Sequence, residues 1–197
     1  MMASQKGLVK SLSSVETLGS ATYIASDKTG TLTKNEMAVT RFLANGKVYN
    51  VEGNGYTPIG DFIRDDGEAA DSKDYQRFLE VAVLNNEAEI KPDNKQNWRP
   101  FGNPTDVSLV VLAAKEKIKR DELLEDKGNR DIDIIRIFPF DSTRKMMTVV
   151  IKENGKYYSL TKGAPDIIKP LAKFAMVDGE AIGINQVADD LSLIHIS

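Results

Sequence analysis

The sequence predicts an α/β protein of the α+β kind. It opens as an open α/β domain and continues into a second unit built on an antiparallel sheet with flanking helices. Three observations carry this. Ala21-Thr22-Tyr23-Ile24-Ala25 is a short apolar, β-prone run that reads as a buried strand. Met146 to Lys152 and Lys156 to Lys162 are β-prone runs flanking Glu153-Asn154-Gly155, and Asn-Gly between such runs is a strong hairpin signal. Between these landmarks, two stretches carry apolar residues at helical spacing.

Composition sets the outer bounds. The chain has 197 residues, enough for one or two domains. Its 41% hydrophobic and 28% charged residues are ordinary for a globular protein. A net charge of −3 and a pI near 5.3 give no reason to expect nucleic-acid binding. There is no cysteine, which excludes disulfides and thiolate metal sites. The single histidine, His195, reads as a tail residue rather than a ligand or base. No apolar run reaches the ~18 residues that a membrane span needs, and no signal peptide is visible.

Ser13 to Gly19 reads as a short capped helix, with Ser13 and Glu16 at capping-box spacing and Gly19 as its stop. The strand at 21–25 then delivers Ser26-Asp27-Lys28-Thr29-Gly30-Thr31-Leu32-Thr33 at its carboxyl end, where open α/β sheets place ligands. Gly30 permits close backbone approach, so N–H groups can converge on an anion beside the Asp27 carboxylate. A nucleophile next to such donors is what an aspartyl-phosphate requires. The plain alternative is a polar turn in which Asp27 bonds nearby backbone.

Asn45-Gly46 predicts a hairpin turn, 53–60 a glycine-rich loop, and 61–74 an acidic solvated loop. Ser72 is expected to cap a helix reaching about Glu87, its core face made by Tyr75, Phe78, Leu79, Ala82, Val83 and Asn86. The polar stretch 91–99, containing Pro92, reads as a loop. Asn103 as N-cap and Pro104 at the first position start a second helix, with Val107, Val110, Val111 and Ala114 buried. Asp106 falls in its first turn. The helix dipole alone accounts for a carboxylate there, and a ligand role fits as well. Ile132 to Phe138 is a strand candidate interrupted by Pro139.

A two-residue turn at Asn154-Gly155 pairs Glu153 with Lys156 and places Lys162 opposite Met147. Lys145 then becomes the diagonal neighbour of Lys162, ~7–8 Å away on the same face. Two ammonium groups so close repel unless an anion lies between them, and a phosphate chain would satisfy both. Gly163 and Ala164 leave room for close approach, and Phe140 offers a flat face for a base. Solvated strand-end lysines and a core Phe140 are the alternative.

Asp27-Lys28-Thr29-Gly30-Thr31-Leu32-Thr33 matches the phosphorylation signature of P-type ATPases, the ion pumps that phosphorylate their own aspartate. The run Leu-Ser-Ser-Val-Glu-Thr-Leu-Gly (12–19) resembles what precedes that signature. Lys162-Gly163-Ala164-Pro165-Asp166 resembles the family's Lys-Gly-Ala motif of the ATP pocket. Phe140 to Met147 resembles the segment giving an adenine-stacking Phe and a phosphate-side Lys, roles that would fall to Phe140 and Lys145. Gly102 to Asp106 looks like the segment whose carboxylate contacts the base end of the nucleotide, with Asp106 where the pumps usually have Glu. The likeness covers most of 6–166, and 15–19 with 53–60 point to the type II, calcium-pump-like branch.

The resemblance implies a partial HAD-like Rossmann phosphorylation domain at 1–40, a nucleotide-binding domain at 41–190, and a tail at 191–197 of unassigned origin. It implies ATP and Mg²⁺ as cofactors. Asp27 would be the phosphorylated nucleophile, and Asp27 with the Thr29 carbonyl would hold Mg²⁺. The Thr29 side chain would contact the phosphoryl group. Related soluble phosphatases carry a general acid–base Asp two residues after the nucleophile, where this chain has Thr29, and this favours a pump. The family's later Gly-Asp-Gly-x-Asn-Asp segment and its membrane helices do not occur here. The expectation is therefore a fragment from the cytoplasmic face of a membrane pump. Its partners are ATP and the rest of the pump, the transported cation binds elsewhere, and the fragment alone does not complete the cycle. A soluble phosphohydrolase and a non-catalytic nucleotide-binding module are the rival readings.

Overall fold

The computed structural model describes residues 20–23, 25, 26, 36–93, 97–186 and 194–196. Asp27 to Thr33 and the helix expected at 13–19 lie outside the described residues. The chain divides into two compact units, 1–35 and 36–197.

In the first unit, the buried strand predicted at 21–25 is not formed at its described positions. Residues 20–23, 25 and 26 are exposed and irregular, with Tyr23 at 93% exposure. Among the described residues no strand pairs with this run, and a β-prone segment without a ladder partner has nothing to bury it.

The second unit mixes helices with antiparallel sheets. β1 (Val39–Ala44) and β2 (Lys47–Val51) form the expected hairpin, with Ala44 opposite Lys47. Asn45 and Gly46 both adopt positive φ, 52° and 76°, the geometry that matches strand twist in a tight turn. β3 (Phe62–Arg64) pairs with β2 inside the stretch expected to be a solvated loop. Phe62, only 6% exposed, gives that short edge strand its reason to pair. Ile194–Ile196, in the expected tail, forms a strand against the other edge of β1.

α1 (Ser72–Leu84) is capped by Asp71, whose side chain accepts from the Lys73 N–H, and not by Ser72. It ends three residues earlier than expected, at the Asn85 C-cap. β4 (Glu89–Pro92) and β5 (Trp98–Phe101) pair across the stretch read as a loop. Pro92 sits at a strand end, where its missing N–H costs no ladder bond. α2 (Pro104–Lys115) starts with Asn103 accepting from the Thr105 N–H and Pro104 at the first turn, as the sequence predicts. Its buried set is wider than the predicted stripe: Val107, Ser108, Leu109, Val111, Leu112 and Ala113. Val110 and Ala114 are only half-buried. α2 is enclosed because it packs on α1 and β1 and also on β4 and β5.

After α3 (Arg120–Glu125) come β6 (Ile132–Asp141), β7 (Met146–Glu153) and β8 (Lys156–Gly163), a three-stranded sheet in that order. β6 continues through Pro139 instead of stopping before it. It is an edge strand, and its pairing with β7 is irregular between Phe138 and Asp141, both of which accommodate a residue without an N–H. A short helix, α4 (Pro165–Ile168), and the hairpin β9 (Phe174–Val177) with β10 (Glu180–Gly183) follow.

α1 is the wedge between two cores. Tyr75, Leu79, Ala82 and Val83 join Phe42, Tyr49, Phe62, Leu109 and Leu112 in the first. Leu84 and Val81 join Ile132, Met147, Val149, Ile151 and Leu160 in the second. In the first core Phe42 stacks on Tyr49 at 5.0 Å and meets Phe62 edge-on at 5.1 Å. The Tyr75 phenol is pushed up to about 12 by burial and by the Glu116 carboxylate, which accepts a hydrogen bond from its O–H at 3.1 Å. Leu112→Ala is expected to lower stability by about 2–5 kcal/mol, because a 1%-exposed side chain leaves a void that neighbours on every side cannot refill. Urea denaturation checks this.

Among the described residues no helix is long and apolar enough to cross a membrane.

Candidate nucleotide site

The hairpin register follows the sequence reading. Glu153 pairs with Lys156, Met147 with Lys162 and Met146 with Gly163. Asn154 and Gly155 carry φ of 49° and 80°, so a two-residue turn locks the alignment. Val149, Leu160 and Ile151 face α1, which fixes on the same side Met147 and its partner Lys162.

Lys162 meets Asp106 there: its ammonium group donates to Asp106 Oδ1. The two side chains are 24% and 27% exposed, so the pair lies at the rim of the core rather than in free solvent. Asp106 is thus held by the start of α2 and Lys162 by the end of β8, and the ion pair joins the two elements.

Lys145 is not the ladder residue that the strand extrapolation assumed. It lies outside β7 with φ at 53°, in the tight turn that its N–H closes onto the Asp141 carbonyl at 2.6 Å. A residue turned into the left-handed region leaves the alternation of the ladder. Its ammonium faces Asp166 at 3.9 Å instead, while Lys162 faces Asp106. Each lysine has its own carboxylate, so no anion is needed to keep them from repelling.

Phe140 is 62% exposed, which rules out a core role. Next to it, Asp141 pairs with Met146, and Met146 pairs with Gly163 on its other side. Phe140, Lys145, Lys162 and Gly163 therefore gather at one end of the sheet. Two strand spacings, about 10 Å, separate the backbones of Asp141 and Gly163 across this rung.

Gly163 is required by close approach. A Cβ added there would stand 2.6 Å from the Lys145 carbonyl oxygen and 2.9 Å from Met146 Cβ. Both neighbours are fixed, and the Ala164 N–H closes the same junction by donating to the Lys145 carbonyl at 3.1 Å. Gly163→Ala is expected to destabilise by about 1–3 kcal/mol, with amide shifts at Lys145 and Met146 as the check.

A charge cluster that the sequence reading missed sits on the same face of α1. Arg130 Nε donates to Glu153 Oε1 and Arg130 Nη1 to Glu80 Oε1, each at 2.7 Å. Arg77 Nη2 donates to Glu153 Oε2 at 2.8 Å. The side chains of Glu80 and Glu153 are 3% and 10% exposed. Burial works to raise the Glu153 carboxyl, but the hydrogen bonds from Arg130 and Arg77 outweigh it and hold it below its usual value. Its available signal was spacing: Arg77, Glu80, Val81 and Leu84 fall on a second stripe at helical spacing.

A depression of about 720 Å³ is lined by Pro165, Asp166, Lys169 and Lys173, among others. Pro165 and Asp166 end the Lys162–Asp166 segment singled out in the sequence, and Asp166 is the carboxylate facing Lys145, but Asp106, Phe140, Lys145, Lys162 and Gly163 do not line the depression. Asp27 and Thr29 lie outside the described residues, as do their expected Mg²⁺ contacts.

Comparison with known proteins places the chain in a family. Residues 74–192 match the family model described as P-type ATPase, cytoplasmic domain N. A calcium-transporting ATPase of Bacillus subtilis is 38% identical over 183 residues, covering 91% of this chain and 20% of the relative. An endoplasmic reticulum-type calcium-transporting ATPase of Arabidopsis thaliana is 33% identical over 220 residues, covering 98% and 21%. The cation-transporting ATPase pma1 of a Synechocystis species is 30% identical over 192 residues, covering 94% and 21%. The chain belongs to the P-type ATPase family, as the motifs implied. It spans about one fifth of the length of these relatives.

Proposed function

We propose that residues 41–190 bind ATP for a cation-transporting P-type pump, and that residues 1–40 begin the HAD-like domain that receives its γ-phosphate. The observation that carries the nucleotide reading is the exposed Phe140 ring at the same sheet end as the Lys162–Asp106 pair. A large aromatic face exposed beside fixed charges suits a base better than it suits water. Asp106 belongs at the base end, because a carboxylate beside a triphosphate would repel it. Lys162 lies between, within reach of the sugar and phosphates, and Lys145 meets the phosphate side. Gly163 keeps the backbone low where the ligand passes.

Asp27 is the phosphoryl acceptor in this reading. Its carboxylate oxygen attacks the γ-phosphorus, the bond to the β–γ bridging oxygen breaks, and ADP leaves. The Asp27 carboxylate and Thr29 carbonyl are hard oxygen donors of the kind Mg²⁺ prefers. They would hold the ion, whose positive charge would offset the negative charge on the transferred group, which is where phosphoryl-transfer catalysis mostly lies. Thr29 offers no general acid–base, so the phosphoenzyme persists long enough to drive a transport step. The longer pump would hold this chain at the cytoplasmic face of its membrane and bind the transported cation elsewhere.

Phe140→Ala tests the reading. Loss of one base–aromatic stack is worth about 1–3 kcal/mol, so Mg-ATP affinity should fall roughly 5- to 150-fold by calorimetry. Circular dichroism should not change, since the ring is exposed. Wild-type affinity in this variant would contradict the placement of the base.

A further inference from the structure

Two adjacent asparagines at the end of α1 grip the two halves of the candidate site. Asn85 and Asn86 are 0% and 1% exposed. The Asn85 N–H closes the helix by donating to the Val81 carbonyl at 2.9 Å. Its side-chain Nδ2 reaches across the hairpin, donating to the Leu160 carbonyl at 3.2 Å and lying 3.4 Å from the Met147 carbonyl. Met147 is the residue opposite Lys162, and Leu160 precedes Lys162 by two positions. The Asn86 Nδ2 donates to the Asp106 carbonyl at 2.9 Å and to Ala82 at 3.2 Å, while its Oδ1 accepts from the Ala88 N–H at 2.8 Å.

Neither side chain touches the Lys162–Asp106 ion pair itself. Each holds the backbone from which one partner projects. Lys162 and Asp106 come from elements far apart in sequence, and no backbone ladder joins β8 to α2. Both elements pack on α1, and at its end Asn85 and Asn86 add a side-chain hydrogen bond to each. The Asn85 Oδ1 is buried with no hydrogen-bond partner. Turning the amide over would satisfy nothing and would aim an acceptor at two carbonyls. The orientation is kept at the cost of an unpartnered buried atom, which the hairpin contacts must outweigh.

We propose that Asn85 and Asn86 act as positioning residues, a two-residue bracket that sets the Lys162–Asp106 geometry and through it nucleotide affinity. The proposal rests on the nucleotide reading above. Residues that only glued the core would change stability without changing affinity in the folded protein. A bracket changes affinity even where the fold is intact, because charge-assisted contacts depend steeply on placement.

The test compares the full chain with Asn85→Leu, Asn86→Ala and Val39→Ala, at a temperature where each is folded by circular dichroism. Val39 is 5% exposed in the first core and controls for lost stability. Should an asparagine variant fail to fold, the corresponding serine substitution, too short to reach the carbonyls, replaces it. Two quantities are read: the Mg-ATP dissociation constant, and the ¹⁵N signal of the Lys162 ammonium in the ligand-free protein. An ordered, ion-paired ammonium exchanges slowly enough with water to be seen. Both asparagine variants should bind Mg-ATP at least about tenfold more weakly and lose the ammonium signal, while Val39→Ala keeps both. Affinities within twofold of wild type, or an equal loss in Val39→Ala, would overturn the bracket. If the wild type does not bind Mg-ATP at all, the nucleotide reading fails. The ammonium signal then decides the bracket: its loss only in the asparagine variants upholds the geometry, and its persistence in them refutes it.

Discussion

Replacing Arg130 with methionine is expected to lower unfolding free energy by about 3–5 kcal/mol, the cost of leaving a buried carboxylate without its cation. Arg130 bridges Glu80 and Glu153, whose side chains are 3% and 10% exposed and come from α1 and the end of β7. Methionine keeps the apolar stem and removes the charge, so Glu80 would keep only Gln76 at 3.1 Å and the half-exposed Arg77 at 3.2 Å. For a chain of this size the melting temperature should drop by roughly 6–20 °C. Arg77→Met should cost less, because Arg77 is 46% exposed and its loss leaves Arg130 in place. The same cluster sets an acid limit. Glu153 has a lowered folded value, so its contribution is complete above the ordinary carboxyl value of 4.5 and is lost as pH falls through the lower folded value. Denaturation of wild type and Glu153→Gln at pH 7 and pH 3 measures this: the difference between them should shrink on acidification. A difference that grows at pH 3 would contradict the sign.

Lys162→Glu is expected to reduce Mg-ATP affinity by about 100-fold or more. It removes a charge-assisted donor worth about 1.5–3 kcal/mol and places a second carboxylate against Asp106, so the phosphate side meets repulsion where it met attraction. The side chain is at the rim of the core, and a modest loss of stability should accompany the change without loss of fold. Calorimetry with circular dichroism beside it reads both. Unchanged affinity would mean that the nucleotide, if bound, lies elsewhere. Asp27→Asn should leave affinity as it is, because nucleotide capture and phosphoryl acceptance use different residues in the proposed division.

The sequence was most legible where turn chemistry fixed register. Asn154-Gly155 determined the pairing as far as Met147–Lys162, and the structure follows it. The register holds one pair further, to Met146–Gly163, and extrapolation stops at Lys145, because a left-handed turn residue breaks the alternation that a strand would have kept. Asn103 and Pro104 announced α2 because both signals act locally. The strand at 21–25 illustrates the opposite case, since β propensity says nothing about whether a partner strand is present to pair with it. β3 and the β4–β5 pair were passed over for a related reason. Their runs are short and broken by charged residues and prolines, and only tertiary pairing makes them strands. Asp178-Gly179, the turn of the β9–β10 hairpin, carried the same kind of signal as Asn154-Gly155 and could have been read. For the Arg77, Glu80, Arg130 and Glu153 cluster helical spacing alone was weak, because charged residues in sequence look like a solvated face until the packing buries them. Asn85 and Asn86 were hidden likewise: Asn86 was assigned to an apolar helix face, whereas it lies beyond the helix end and works through its amide.

The measurement that tests the central claim most directly is a Mg-ATP titration of the full chain followed by backbone amide shifts. Binding at the proposed site should move Phe140, Lys145, Lys162, Gly163 and Asp106 together, with one dissociation constant fitting all five. A folded protein whose shifts at millimolar Mg-ATP cluster elsewhere, or nowhere, would contradict the nucleotide site.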